Sequence, residues 1–88
     1  MKIKEGFLLR QVGGNNVVVP VGAQSVDFRC LITLNEVGAF LWQKLATDST
    51  VETLVEALLG EYDVTADIAT ADVERFVASL REKNLLDE

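Results

Sequence analysis

The spacing of apolar residues changes at Asn35, and that change constrains the fold more than any other feature. Before it, Phe28, Cys30, Ile32 and Leu34 alternate with Arg29, Leu31 and Thr33, the two-residue period of a strand. After it, apolar residues recur every three or four positions, the period of a helix buried on one side. A chain of 88 residues with one such switch reads as a single α+β domain covering residues 1–88.

The first third predicts a three-stranded antiparallel meander. Phe7–Val12 and Val17–Val21 flank Gly13-Gly14-Asn15-Asn16, residue types that tolerate the positive φ of tight hairpins. Pro20 has no N–H and suits a strand end. Gly22–Val26 forms a longer connection, and Phe28–Leu34 the third strand. Such a sheet needs a covering layer. Three helices supply it. Asn35 caps the first, which runs to about Leu45 with Val37, Gly38, Leu41, Trp42 and Leu45 on its stripe. The second runs from Val51 to about Tyr62, with Val51, Leu54, Val55, Leu58 and Tyr62 inward. Thr50 caps it. With no acid three residues on, that cap is expected to be simple and not a capping box. The third helix runs from about Ala66 to Lys83 on a stripe of Ala69, Val73, Phe76, Val77 and Leu80. Asn84 stops it in a left-handed conformation, and Leu85-Leu86 fold back on the core. The order β-β-β-α-α-α fits a winged helix-turn-helix-like arrangement.

Composition removes most catalytic chemistry. The chain has no histidine and one cysteine, Cys30. No internal disulfide is possible, a zinc site lacks its usual ligands, and no Ser–His or Cys–His pair exists. Cys30, mid-strand among apolar neighbours, reads as a small core hydrophobe. The helical carboxylates read as solvated faces. Gly13-Gly14 sits in a hairpin, not before a helix, so it is no phosphate loop. The expectation is therefore a protein that is not an enzyme and needs no metal or cofactor. MKIKEGF lacks a signal peptide's apolar stretch, and no run approaches the ~20 residues of a membrane span. This predicts a soluble, cytoplasmic protein that does not engage a membrane.

The net charge is −6, unevenly placed. Residues 1–34 carry four bases and two acids, whereas residues 35–88 carry four bases and twelve acids. Asp67, Asp72 and Glu74 lead the third helix, which a DNA-reading helix would not tolerate. A winged-helix DNA-binding regulator is thus the alternative reading, and no nucleic acid is expected as partner. An adaptor that docks only onto an enzyme is a third.

An open meander also offers an edge to which an extended peptide can add as a strand. Such a peptide would pair with the backbone of Asp27–Thr33 and lay apolar side chains against Val73, Phe76, Val77 and Leu80, with Arg75, Arg81 and Lys83 facing its acids. Each of those apolar residues serves equally well as core, because groove lining and core share one pattern. An open edge fits a monomer or a weak homodimer.

The run Leu34-Asn35-Glu36-Val37-Gly38-Ala39-Phe40-Leu41-Trp42 resembles the signature of the PqqD family, the coenzyme PQQ synthesis protein D-like recognition elements of ribosomally made, modified (RiPP) precursor peptides. Thr50-Val-Glu-Thr-Leu-Val-Glu-Ala-Leu, Glu61-Tyr62-Asp63-Val64, Ala71-Asp72-Val73-Glu74-Arg75-Phe76, Leu80 and Lys83-Asn84-Leu85-Leu86 extend the likeness. The resemblance implies a winged-helix-like fold of three strands and three helices. It implies a non-catalytic peptide chaperone that binds a precursor's leader peptide by strand addition and presents it to a radical S-adenosylmethionine (radical SAM) maturase. Its implied peptide-binding residues are Phe28, Arg29, Cys30, Leu31, Ile32 and Thr33 on the third strand, with Val73, Phe76, Val77, Leu80 and Arg81 on the third helix. Asn35 and Gly38 read as structural. Asn84 stands where the family often has glycine. The connection Gly22–Asp27 is longer than in members dedicated to pyrroloquinoline quinone, so a relative serving another peptide cluster is an equal reading.

Overall fold

The computed structural model describes residues 1–21 and 32–88. Short strands β1 (Lys2–Ile3) and β2 (Phe7–Val12) lead into β3 (Asn15–Pro20) and β4 (Ile32–Leu34). Helices α1 (Glu36–Lys44), α2 (Val51–Glu61) and α3 (Ala66–Glu82) follow, and β5 (Leu86–Asp87) closes the chain. The result is the α+β, winged-helix-like architecture expected: a three-stranded antiparallel sheet in the order β2-β3-β4, covered by three helices.

The hairpin turn is tighter than the four-residue Gly/Asn cluster suggests. Gly13 and Gly14 take φ of 58° and 85° and form the whole turn. Asn15 and Asn16 already pair with Val12 and Gln11. Two consecutive positive φ values suit a twisted two-residue hairpin, and glycine adopts them without strain. Pro20 ends β3 opposite Phe7, as its missing N–H requires. Paired residues share a face, so Leu9, Val18 and Ile32 form one inward row, and Leu34 opposite Asn16 extends that face. Val18 is fully buried, while Leu9, Ile32 and Leu34 pack partly buried against the same cluster.

The helices close the core as their stripes predict. Leu41, Trp42 and Leu45 come from the first helical stretch, Leu54 and Leu58 from α2, and Ala69, Val73, Val77 and Leu80 from α3. Asn35 accepts a 2.7 Å hydrogen bond from the Gly38 amide, fixing the start of α1. The cap of α2 departs from expectation. The Thr53 amide donates to the Thr50 hydroxyl, and the Thr50 amide donates to the Thr53 hydroxyl, so a full capping box forms. A threonine hydroxyl reaches the cap amide as a glutamate would. Thr65 caps α3 by accepting from the Ile68 amide.

Asn84 has φ of 59° and turns the chain so that Leu85 and Leu86 return to the core. A pairing beyond the expected meander follows. Leu86–Asp87 adds antiparallel to Lys2–Ile3 as a second, two-stranded sheet. The Lys4 amide donates to the Leu85 carbonyl, and Lys4 Nζ donates to Asn84 Oδ1 at 2.7 Å. The two ends of the chain are thereby stapled beside the helices. No helix of the described residues is long and apolar enough to cross a membrane.

Candidate functional site

A groove of about 330 Å³ lies where β4, the N-terminal half of α1 and the middle of α3 meet. Strand β4 pairs with β3 on one side, and among the described residues no strand pairs on its other side. Thr33 and Leu34 form the strand wall, and Asn35, Val37, Gly38 and Leu41 the base. Asp72, Arg75, Phe76 and Ser79 form the α3 wall. The Asn35 cap and Gly38 matter because they let α1 start close against the sheet. A methyl at Gly38 would stand 3.2 Å from Asn35 Oδ1 and 3.4 Å from both Leu34 Cβ and Phe76 Cε1. Only a residue without a side chain leaves that floor unobstructed.

The α3 residues divide by helical geometry. Val73, Val77 and Leu80 are 0%, 1% and 1% exposed and belong to the core. Phe76 is half-buried and turns toward the groove. Of the other residues that the sequence nominates, Ile32 packs against the core and Thr33 lines the groove. Phe28, Arg29, Cys30 and Leu31 lie outside the described residues.

Arg81 is placed differently. At about 100° per residue, it falls on the side of α3 opposite Asp72, Phe76 and Ser79. It donates to both carboxylate oxygens of Glu88, at 2.7 to 3.1 Å. Those bonds, with the charge of Arg81, hold the Glu88 carboxyl below its ordinary range, and the same pairing raises Arg81.

The nominated residues that meet at the groove are thus Thr33 and Phe76, together with Arg75 of the three rim cations. Leu34, Val37, Asp72 and Ser79 join them without having been nominated. The available signal was a second stripe on α3, Asp72–Phe76–Ser79, running at three- and four-residue spacing beside the core stripe. Among the described residues no group of three or more His, Cys, Asp or Glu side chains is placed to hold a metal ion.

Fold and groove together define a small winged-helix-like α+β domain with a cleft beside an edge strand. The chain belongs to the PqqD family: residues 26–86 match the family described as coenzyme PQQ synthesis protein D. No curated protein matches it. Among solved structures, the chain is similar to TbiB1, determined in complex with the TbiA(beta) leader peptide. The two are 24% identical and overlay with a TM-score of 0.76, over 99% of this chain and 95% of that one. At that identity the likeness is one of fold.

Proposed function

We propose that this chain is a non-catalytic chaperone for a ribosomally made precursor peptide. It holds the leader segment as an added strand on β4 and presents the remainder to a modifying enzyme of the radical SAM class. The observation that carries this reading is the groove beside β4, where the outer edge has no strand partner among the described residues. Main-chain pairing along that edge fixes register, and alternate guest side chains enter the cleft between β4 and α3. Family membership supports the reading. So does the fold shared with a protein solved with a leader peptide. The site residues of this proposal are Thr33, Leu34, Val37, Asp72, Arg75, Phe76 and Ser79, together with Ile32 and the residues Phe28, Arg29, Cys30 and Leu31 that the family resemblance implies.

The test is fluorescence polarisation with labelled leader segments of short precursors encoded beside this chain's gene, and with a DNA duplex as competitor. One leader is expected to bind with weak salt dependence, because strand pairing and apolar burial dominate. Duplex binding that falls steeply with salt, with no leader bound, would establish the DNA-regulator alternative instead.

A further inference from the structure

A chaperone that presents a bound leader needs a second surface, one that stays open while the groove is filled. The face shared by α1 and the C-terminal end of α2 carries three apolar side chains that the core does not cover. Phe40 and Tyr62 stand edge to face, with ring centroids 5.6 Å apart and planes at 89°, and both are only half-buried. Leu59, three residues before Tyr62, is 40% exposed. Lys44 Nζ lies 5.2 Å from the Phe40 centroid, so that ring already takes a cation. None of these four residues lines the groove. Val37, three residues before Phe40 on α1, does, so the two surfaces adjoin without overlapping.

Charge around the aromatic pair is one-sided. Residues 36–63 hold six acids against a single base, Lys44. Among the described residues, Glu36, Glu52, Glu56 and Glu61 make no ion pair. Burial raises the Tyr62 hydroxyl above its ordinary range, and the nearby charges of Glu36 and Glu61 raise it further. The charges of α2 also oppose its dipole. Helices α1 and α3 carry Lys44 and Arg81 in their last turns, whereas α2 ends on Glu61 with no base there. Folding gains nothing from that acid, and a cation brought by a partner offsets it. We propose that Phe40, Leu59 and Tyr62, rimmed by Glu36 and Glu61, form the surface on which the modifying enzyme docks, and that the enzyme meets it with a basic, arginine-bearing patch. Arginine suits it better than lysine, because a planar, weakly hydrated guanidinium stacks on rings and can displace the Lys44 ammonium from Phe40. The aromatic pair and Leu59 are the anchors, and the carboxylates form the rim. The proposal rests on the leader-binding reading above and adds where the enzyme binds and with what chemistry.

The experiment is biolayer interferometry on the full chain, immobilised, with two analytes applied singly and together. One is the leader of a short precursor encoded beside this chain's gene, and the other is the purified radical SAM enzyme encoded there. The native chain is expected to bind the enzyme with the leader already in place. Rising salt should weaken the enzyme far more than the leader. Leu59→Ser combined with Glu61→Lys should weaken the enzyme about tenfold and leave leader affinity unchanged. Glu74→Lys makes the same charge change at an exposed α3 position outside both surfaces, and should alter enzyme affinity less than about twofold. Full enzyme affinity in the double variant, or an equal loss from Glu74→Lys, overturns the docking surface while leader binding stands. A native chain that binds leader but not the enzyme overturns it as well. A native chain that retains no leader overturns the leader-binding reading itself. Trp42, the sole tryptophan and 6% exposed, reports by its fluorescence that each variant is folded.

Discussion

Replacing Gly38 by alanine separates folding from groove function, and the structure sets the size of each effect. The new methyl would meet Asn35 Oδ1 at 3.2 Å, Leu34 Cβ at 3.4 Å and Phe76 Cε1 at 3.4 Å. Asn35 Oδ1 now accepts from the Gly38 amide at 2.7 Å. It can retreat by about 0.3 Å and remain within the 2.7–3.2 Å range of a sound hydrogen bond. Phe76 is half-buried and borders open groove, so its ring can yield outward. Alanine in place of helical glycine favours the folded state by up to about 1 kcal/mol. That gain offsets the crowding, so the unfolding free energy should change by less than about 1 kcal/mol. The displaced ring, however, narrows the cleft, so leader affinity should fall. Urea unfolding followed by Trp42 fluorescence measures the first quantity, and polarisation with a bound leader the second. Gly38→Val adds a β-branched side chain that the floor cannot absorb, at a cost of about 1–3 kcal/mol. A loss above about 2 kcal/mol for alanine, or full affinity with native stability, would refute the picture of a yielding wall around a confined cleft.

Three further outcomes follow from contacts away from the groove. Thr50→Ala and Thr53→Val should each destabilise by about 0.5–1 kcal/mol, and the double variant by less than the sum, because both hydroxyls serve one capping box. A double-mutant cycle in urea checks this. Asn84→Ala should cost about 1 kcal/mol, because alanine is strained at φ of 59°, and should lower the melting temperature by about 4–8 °C, whereas Asn84→Gly should cost less. Glu88 has its pKa lowered by its hydrogen bonds to Arg81, so its folded value lies below its unfolded one. The stability it contributes is present above about pH 4.5 and disappears as pH falls through the folded value. Thermal melts of the native chain and Glu88→Gln should therefore differ at neutral pH and converge in acid.

Much of the fold was legible because local chemistry fixes it. Gly13-Gly14 and Asn84 announce positive φ, and Asn35 announces a cap. The helical stripes place Leu41, Leu54, Leu58 and Val73 inside. The β1–β5 pairing is not legible in the sequence because two-residue strands carry no period. The capping box at Thr50 is not legible in the sequence because its usual signature is an acid three residues on, and here a threonine hydroxyl does the same bonding. The site was harder to read. Phe76 and Val77 are sequence neighbours of similar hydrophobicity, yet one faces the groove and the other is sealed in the core. Only the angle at which α3 meets β4 and α1 decides between them, and that angle is a tertiary property. Arg81 illustrates the same limit: its partner Glu88 lies beyond the helix and is set by the chain's return after Asn84.

Hydrogen exchange read residue by residue, with and without a bound leader peptide, addresses the strand-addition account most directly. The account predicts new protection in β4, at alternate amides among Ile32, Thr33 and Leu34, accompanied by cross-strand contacts between β4 and the guest. Protection confined to the β2–β3 hairpin or to the outer face of α2, with the β4 amides unchanged, would contradict it.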